Sequence, residues 1–275
     1  MSLLPEPLGA PVERVWSSLA PFVTRVQWHP SVGSTMDVAL QQAHHGAAAG
    51  LLVVADEQTA GRGRRGHAWA SPAGAGLYFS LLLRPPLTGG DEVFGSASRS
   101  SPASLLTLAA GVAVSDGIET ATGLDVSLKW PNDLLVGRRK LAGILAEGVE
   151  LGTSTQAVVL GIGINVNEAA FPAPIADRVT SIAAELGRTL DRGHILSAVL
   201  TALARQYQVL LHARYDDVLA DWRKRAPSAF GREVEWDTRN GVLSGVTAGL
   251  DDGGALLVRT RQGLERVIAG EVRWL

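Results

Sequence analysis

The chain has 275 residues, 25 basic against 27 acidic side chains, a net charge of −2 and no cysteine. Disulfides, thiolate nucleophiles and cysteine-ligated zinc are thereby excluded, and a balanced charge argues against a protein that coats nucleic acid. An apolar fraction of 46% against 19% charged residues is enough for a sizeable core, which excludes a disordered chain.

Residues 1–30 read as a lead-in with a helix over 12–19, and no basic region followed by an apolar run marks a signal peptide. Ser34-Thr35-Met36-Asp37 opens an amphipathic helix to about His44, with Ser34 and Asp37 spaced as a capping box. Residues 51–55 form a compact apolar strand. Residues 56–76, rich in Gly and Arg, have neither helical nor strand periodicity, and a strand returns at 77–83. Residues 85–102 read as an exposed loop before a helix over 103–120, whose apolar stretch is too short to span a bilayer. Short strands come next at 126–130, 134–136, 143–149 and 157–164, then helices at 179–186, 191–211 and 215–225. From Pro227 the texture changes to short alternating strands with Gly and Asp-Gly turns and no helix, enough for a small β-barrel. The fold class is α+β, a mixed β-sheet with flanking helices, divided as 1–30, 31–226 and 227–275. A soluble cytoplasmic protein is expected, with no membrane or nucleic-acid partner. Exposed sheet edges would permit a homodimer.

Chemistry concentrates in a few segments. Gly61-Arg62-Gly63-Arg64-Arg65-Gly66 matches the dinucleotide-binding pattern G-x-G-x-x-G, but five residues separate it from the preceding strand. Residues 67–76, with Pro72 and several small residues, are unable to open a helix, so that reading fails. Three guanidiniums alternating with three glycines can instead close around an anion, as a loop that is floppy when empty and ordered by its ligand. The plainer alternative is a solvated basic loop or a nucleic-acid patch. Lysine is scarce: only Lys129, Lys140 and Lys224 stand among the 25 basic residues, and two of them fall within a dozen positions. Lys129 opens Lys129-Trp130-Pro131-Asn132-Asp133-Leu134-Leu135, readable as a hairpin corner with Trp130 in the core. Lys140 opens Lys140-Leu141-Ala142-Gly143-Ile144-Leu145. Gly161-Ile162-Gly163-Ile164-Asn165 is a strand whose glycines would let another group approach the backbone closely.

In this order and spacing the segments resemble the biotin–protein ligase catalytic domain, over about residues 30–275. Ser34-Thr35, Gln58 with GRGRRG, KWPNDLL, KLAGIL and GIGIN carry the resemblance. GRGRRG with KWPND after it separates biotin from lipoate ligases of the same superfamily. The resemblance implies a fold like that of class II aminoacyl-tRNA synthetases and biotin ligases, with a small C-terminal SH3-like β-barrel. It also implies a reaction: with ATP and Mg²⁺, biotin becomes biotinyl-5′-AMP, and the biotinyl group passes to a lysine of a biotin carboxyl carrier domain of acyl-CoA carboxylases.

The same resemblance implies the site residues. Ser34, Thr35 and Gln58 hydrogen-bond the biotin head group, with helix capping as the competing role for Ser34 and Thr35. Arg62, Gly63 and Arg64 hold the carboxylate and α-phosphate, Lys140 bridges the same anionic centre, and Gly143 lets the ligand lie close. Trp69 lies against the adenine, a plain core tryptophan being the alternative. Asn132 and Asp133 handle a metal or the acceptor lysine, although no dedicated metal-ligand set is assigned, and Asp133 is the nearest carboxylate to favour a neutral amine. Lys129 is counted with Arg62, Arg64, Lys140 and Asp133 as catalytic. Gly163 and Asn165 approach the nucleotide. Met36 stands where the family often has Asn, which puts one polar contact to biotin in question. Some members carry an N-terminal winged helix and act as repressors; without helix–turn–helix spacing before Ser34, no operator binding is expected. The alternatives are a lipoate or octanoate ligase and a non-catalytic nucleotide-sensing or nucleic-acid-binding module.

Overall fold

The mainly apolar segments Leu51–Ala55 and Gly76–Leu83 form fully buried neighbouring strands, as expected of strands covered on both faces. Around them the computed structural model builds a seven-stranded sheet; it describes residues 4–85, 102–150, 153, 156–169, 171–238, 241–268 and 270–275. Its strands are β1 (Arg25–His29), β2 (Leu51–Ala55), β3 (Gly76–Leu83), β4 (Ser127–Lys129), β5 (Asp133–Val136), β6 (Arg139–Val149) and β7 (Ala157–Asn165), in the order β1-β2-β3-β7-β6-β5-β4. Only the β1–β2 pair is parallel, so the sheet is mixed, as the pattern of short strands implied.

Side chains alternate across a strand, so each strand serves two faces. One face carries Leu52, Val54, Phe79, Leu81, Ile144, Leu160 and Ile162, packed with helices α1 (Gly9–Leu19), α3 (Pro102–Thr122) and α5 (Arg192–Leu211) in the main core. The other carries Leu51, Val53, Leu82 and Val159 against Met36, Ala39 and Ala43 of α2 (Thr35–His44). Helices α4 (Ile182–Leu186) and α6 (Tyr215–Arg225) complete the layer structure.

After a 3₁₀ turn at Pro227–Ala229, strands β8 (Phe230–Thr238), β9 (Gly241–Leu250), β10 (Leu256–Arg259), β11 (Leu264–Val267) and β12 (Val272–Trp274) form an antiparallel sheet in the order β11-β10-β9-β8-β12. Its inner side chains Val234, Trp236, Leu256, Val258 and Val272 belong to the same buried cluster as the large sheet. Trp130 reinforces that junction by donating its indole N–H to the Gly254 carbonyl at 3.0 Å.

Two local expectations need correction. The helix expected over 179–186 begins only at Ile182, because Val179 and Thr180 run extended beside Lys140, with the Thr180 N–H on the Lys140 carbonyl, and Ser181 caps the helix. The capping box at α2 is half formed: the Ser34 hydroxyl accepts from the Met36 N–H, but Asp37 turns away to Arg62. Residues 86–101 of the loop expected over 85–102 lie outside the described residues. No helix among the described residues is long and apolar enough to cross a membrane.

Candidate active site

The site lies on the α2 face of the large sheet, where three glycines remove the side chains that would fill it. Gly143 of β6 and Gly163 of β7 are cross-strand partners, and Gly161 pairs with Leu145. A Cβ on Gly163 would stand 2.5 Å from the Trp69 indole, and one on Gly143 3.0 Å from the same ring. A Cβ on Gly161 would stand 2.5 Å from the Met36 sulfur. The glycines therefore let Trp69 and Met36 lie close against the backbone, in space that a Cβ would occupy. Trp69 is the group that approaches the backbone closely, and its buried Nε1 has no hydrogen-bond partner among the described residues.

At one end of this floor is an uncharged polar chain. Gln58 accepts from both the N–H (2.9 Å) and the hydroxyl (3.1 Å) of Thr35, and its amide donates to Ser71 at 2.8 Å. Thr35 and Ser80 share a hydrogen bond of 2.8 Å. Ser34, Thr35, Ser71 and Ser80 are all buried. Buried hydroxyls need partners, and this chain supplies them while fixing the start of α2 to β3.

At the other end stand the cations. Residues 61–69 fold back as a small hairpin, with Gly63 N–H on the His67 carbonyl, Trp69 N–H on the Gly61 carbonyl, and Arg65 in the left-handed region at φ 55°. Arg62 reaches Asp37 at 2.7 Å and Glu147 at 2.5 Å. Burial would lower its pKa, but the hydrogen bonds to Glu147 and Asp37 outweigh that and raise it. Arg64 is different. Its guanidinium donates to the Asn132 side-chain oxygen (3.1 Å) and the Gly270 carbonyl (3.4 Å), and among the described residues it pairs with no carboxylate. Burial lowers its pKa, with Asp133 opposing.

Lys140 pairs with Asp133 at 2.6 Å and lies 5.3 Å from the Trp69 ring centre. Lys129 lies 4.8 Å from the Trp274 ring centre. Burial lowers its pKa; Asp133 and Glu271 partly compensate, while Lys140 adds to the lowering. Asn132 is engaged at both ends of its amide, donating to the Ile144 carbonyl at 2.7 Å while accepting from Arg64. Asn165 donates to the Thr180 carbonyl at 3.0 Å.

All these residues line one cavity of about 430 Å³: Ser34, Thr35, Gln58, Arg62, Gly63, Arg64, Trp69, Lys129, Asn132, Asp133, Lys140, Gly143, Gly163 and Asn165. Sequence comparison then decides the family. Residues 28–165 match the Biotin/lipoate A/B protein ligase family, and residues 229–273 match the biotin protein ligase C-terminal domain. The chain belongs to the biotin protein ligase family. It is 34% identical over 249 residues to the biotin–[acetyl-CoA-carboxylase] ligase of Mycobacterium tuberculosis, covering 87% of this chain and 85% of that one. It is likewise 34% identical over 247 residues to the bifunctional ligase/repressor BirA of Bacillus subtilis, covering 89% of this chain and 72% of the relative. The biotin protein ligase from Aquifex aeolicus, solved with biotin and ATP, superposes with a TM-score of 0.74 at 31% identity, covering 91% of this chain and 98% of the other.

Within this ligase fold, several wall residues carry no signal in the sequence. The C-terminal sheet contributes Gly270, Glu271, Val272 and Trp274, all far along the chain from the other walls. Trp274 is approached by both Lys129 and Arg232, the latter 5.3 Å from its ring centre. Outside the cavity lining, Glu147, Ser71 and Ser80 are unmarked as partners of Arg62, Gln58 and Thr35, and Asp37 is marked only as a helix cap. Periodicity carries one usable hint: Ser80 interrupts an apolar run on the face where Gly161 stands opposite it.

Proposed function

We propose that the chain is an ATP-dependent biotin ligase that forms biotinyl-5′-AMP and then biotinylates one lysine of a biotin carboxyl carrier domain. In the first step a biotin carboxylate oxygen bonds to the α-phosphorus of ATP and pyrophosphate leaves. In the second, the acceptor amine nitrogen bonds to the acyl carbon, AMP leaves, and the amine gives up its proton.

A single observation supports this reading most strongly: one glycine-floored cleft joins a neutral hydroxyl–amide chain to a cluster of Arg64, Lys129 and Lys140. Ser34, Thr35 and Gln58 would take the uncharged head group of biotin. The first step brings two anions together, so its barrier falls chiefly through positioning and charge neutralisation. Lys140 and Arg64, beside the Gly63 backbone, would receive the carboxylate and α-phosphate, with Lys129 adding positive potential. Asp133 holds Lys140 in place at 2.6 Å and, once that pair opens to the ligand, would be the carboxylate nearest the acceptor amine. Trp69 would flank the adenine, with Gly163 and Asn165 on the nucleotide side.

Magnesium would enter this site as a companion of ATP. No group of three metal-ligating side chains exists among the described residues, and Mg²⁺ commonly binds through substrate phosphates and retained waters with few protein ligands. When bound, the ion would offset phosphate charge.

Biotin-dependent exchange of labelled pyrophosphate into ATP tests the first step, and label transfer to a carrier domain tests the second. The expected result is both activities with biotin. Exchange with lipoate in place of biotin would reassign the acyl substrate, and exchange with neither would leave a non-catalytic module.

A further inference from the structure

We propose that Asp37 and Glu147 are positioning residues that latch the 61–66 loop over the cleft through Arg62, leaving Arg64 as the loop's anion-receiving guanidinium. The two arginines stand two residues apart yet have opposite surroundings. Arg62 places one terminal nitrogen on Asp37 and the other on Glu147, so the group as a whole carries a net negative charge. An acyl phosphate meets repulsion there. Arg64 bonds only neutral oxygens of Asn132 and Gly270, so its positive charge is uncompensated by direct contact.

The latch joins the parts that must stay in register. Asp37 sits in the first turn of α2, two residues beyond Thr35 at the polar end. Glu147 lies four residues beyond Gly143 on β6, and residues at i and i+4 of a strand share a face, which here is the floor. Arg62 thus ties the loop to both the polar end and the floor strand. The raised pKa of Arg62 agrees with this geometry. Side-chain exposures of 35% for Arg62, 59% for Asp37 and 30% for Glu147 keep the bonds screened and reversible. A latch of that strength can open for substrate and product, and each carboxylate accounts for about a fivefold effect at most.

The inference rests on the ligase reading for what the loop retains, while the latch itself is testable without it. Asp37→Asn and Glu147→Gln keep the shape and an acceptor oxygen and remove only the charge. In the full-length protein without ligand, protease cleavage within 61–70 should rise in each variant by up to about fivefold, with the melting transition remaining cooperative. Dissociation of biotinyl-5′-AMP should quicken by a similar factor, while kcat for biotin-dependent pyrophosphate exchange stays within about twofold of the parent. Glu147→Asp, which keeps the charge, should restore much of the protection. Added salt should raise cleavage of the parent and leave the double variant unmoved.

Parental cleavage and parental release in both variants would overturn the latch. So would a fall in exchange kcat with cleavage unchanged, since the carboxylates would then act on the reacting centre. Should Glu147→Gln fail to fold, Asp37→Asn decides alone, because Asp37 is the more exposed partner. If the parent shows no exchange with biotin, the ligase reading fails, and the cleavage arm still decides the latch.

Discussion

The packed face of the large sheet and the stretch of its other face that floors the site are built differently. On one, Phe79, Leu81, Leu160 and Ile162 interdigitate with α1, α3 and α5, and the strands disappear into a continuous core. On the other, the neighbouring positions Ser80, Gly143, Gly161 and Gly163 hold little or nothing above the backbone, and Trp69 and Met36 lie in the space. One face gains stability from volume. The other gives up volume to make a floor on which a ligand-sized cavity and its charges can be arranged. Substitutions in the first should therefore change stability with little selectivity for chemistry, whereas truncating a charged wall residue of the second should change chemistry more than stability.

The largest expected effect tests the packed face. Phe79 is fully buried, and Phe79→Ala should lower unfolding free energy by about 3–5 kcal/mol, measured by urea denaturation. A loss under about 1 kcal/mol would show that this face is less tightly filled than the structure indicates. On the floor side, Lys140→Ala should reduce biotin-dependent pyrophosphate exchange by about 10²–10³-fold, the scale of losing one charge stabiliser in a closed site. Its melting temperature should change little, since its Asp133 pair is partly exposed. Near-parental exchange would remove Lys140 from the reaction.

Gly163→Ala comes next, because its new methyl would stand 2.5 Å from the Trp69 ring. Overpacking of this kind costs about 1–3 kcal/mol. The cost should largely vanish in a Trp69→Ala background, a coupling that a double-mutant cycle reads directly. An equal cost in both backgrounds would mean that the glycine serves the strand and not the indole.

The smallest effect concerns Lys129. Burial lowers its pKa below the unfolded value near 10.4, so between the two values the unfolded chain binds the extra proton. Stability should accordingly rise with pH through that window, and Lys129→Met should flatten the rise. Denaturation midpoints measured from about pH 8 to 10.5 decide it, and parallel curves for both proteins would count against a strained lysine.

Much of this is readable from residue types. The strands at 51–55 and 77–83 announce themselves as apolar runs, and α5 and α6 as periodic helical segments. The GRGRRG, KWPND and KLAG segments carry the cation cluster because their chemistry is local: arginines among glycines, a lysine before a proline turn. Other parts depend on distant pairing. Arg62 meets Glu147 across 85 positions and Arg64 meets Gly270 across 206, separations at which no pattern of neighbours records the contact. Trp69 offers two readings, core residue or ligand wall, and only its seating on Gly143 and Gly163 shows how one indole is held at the cavity by packing. The late start of α4 has a similar origin, since the extended pairing of Val179 and Thr180 with Lys140 overrides a helical pattern of apolar residues.

Arg64 and Lys140 are central to the proposed chemistry: together they would hold the activated acyl phosphate above the glycine floor. A crystal structure with biotinyl-5′-AMP tests this most directly. The phosphate should lie within hydrogen-bonding reach of both cations, with the biotin head group toward Thr35 and Gln58. The compound bound elsewhere, or in this cleft with its phosphate turned away from both side chains, would contradict the claim.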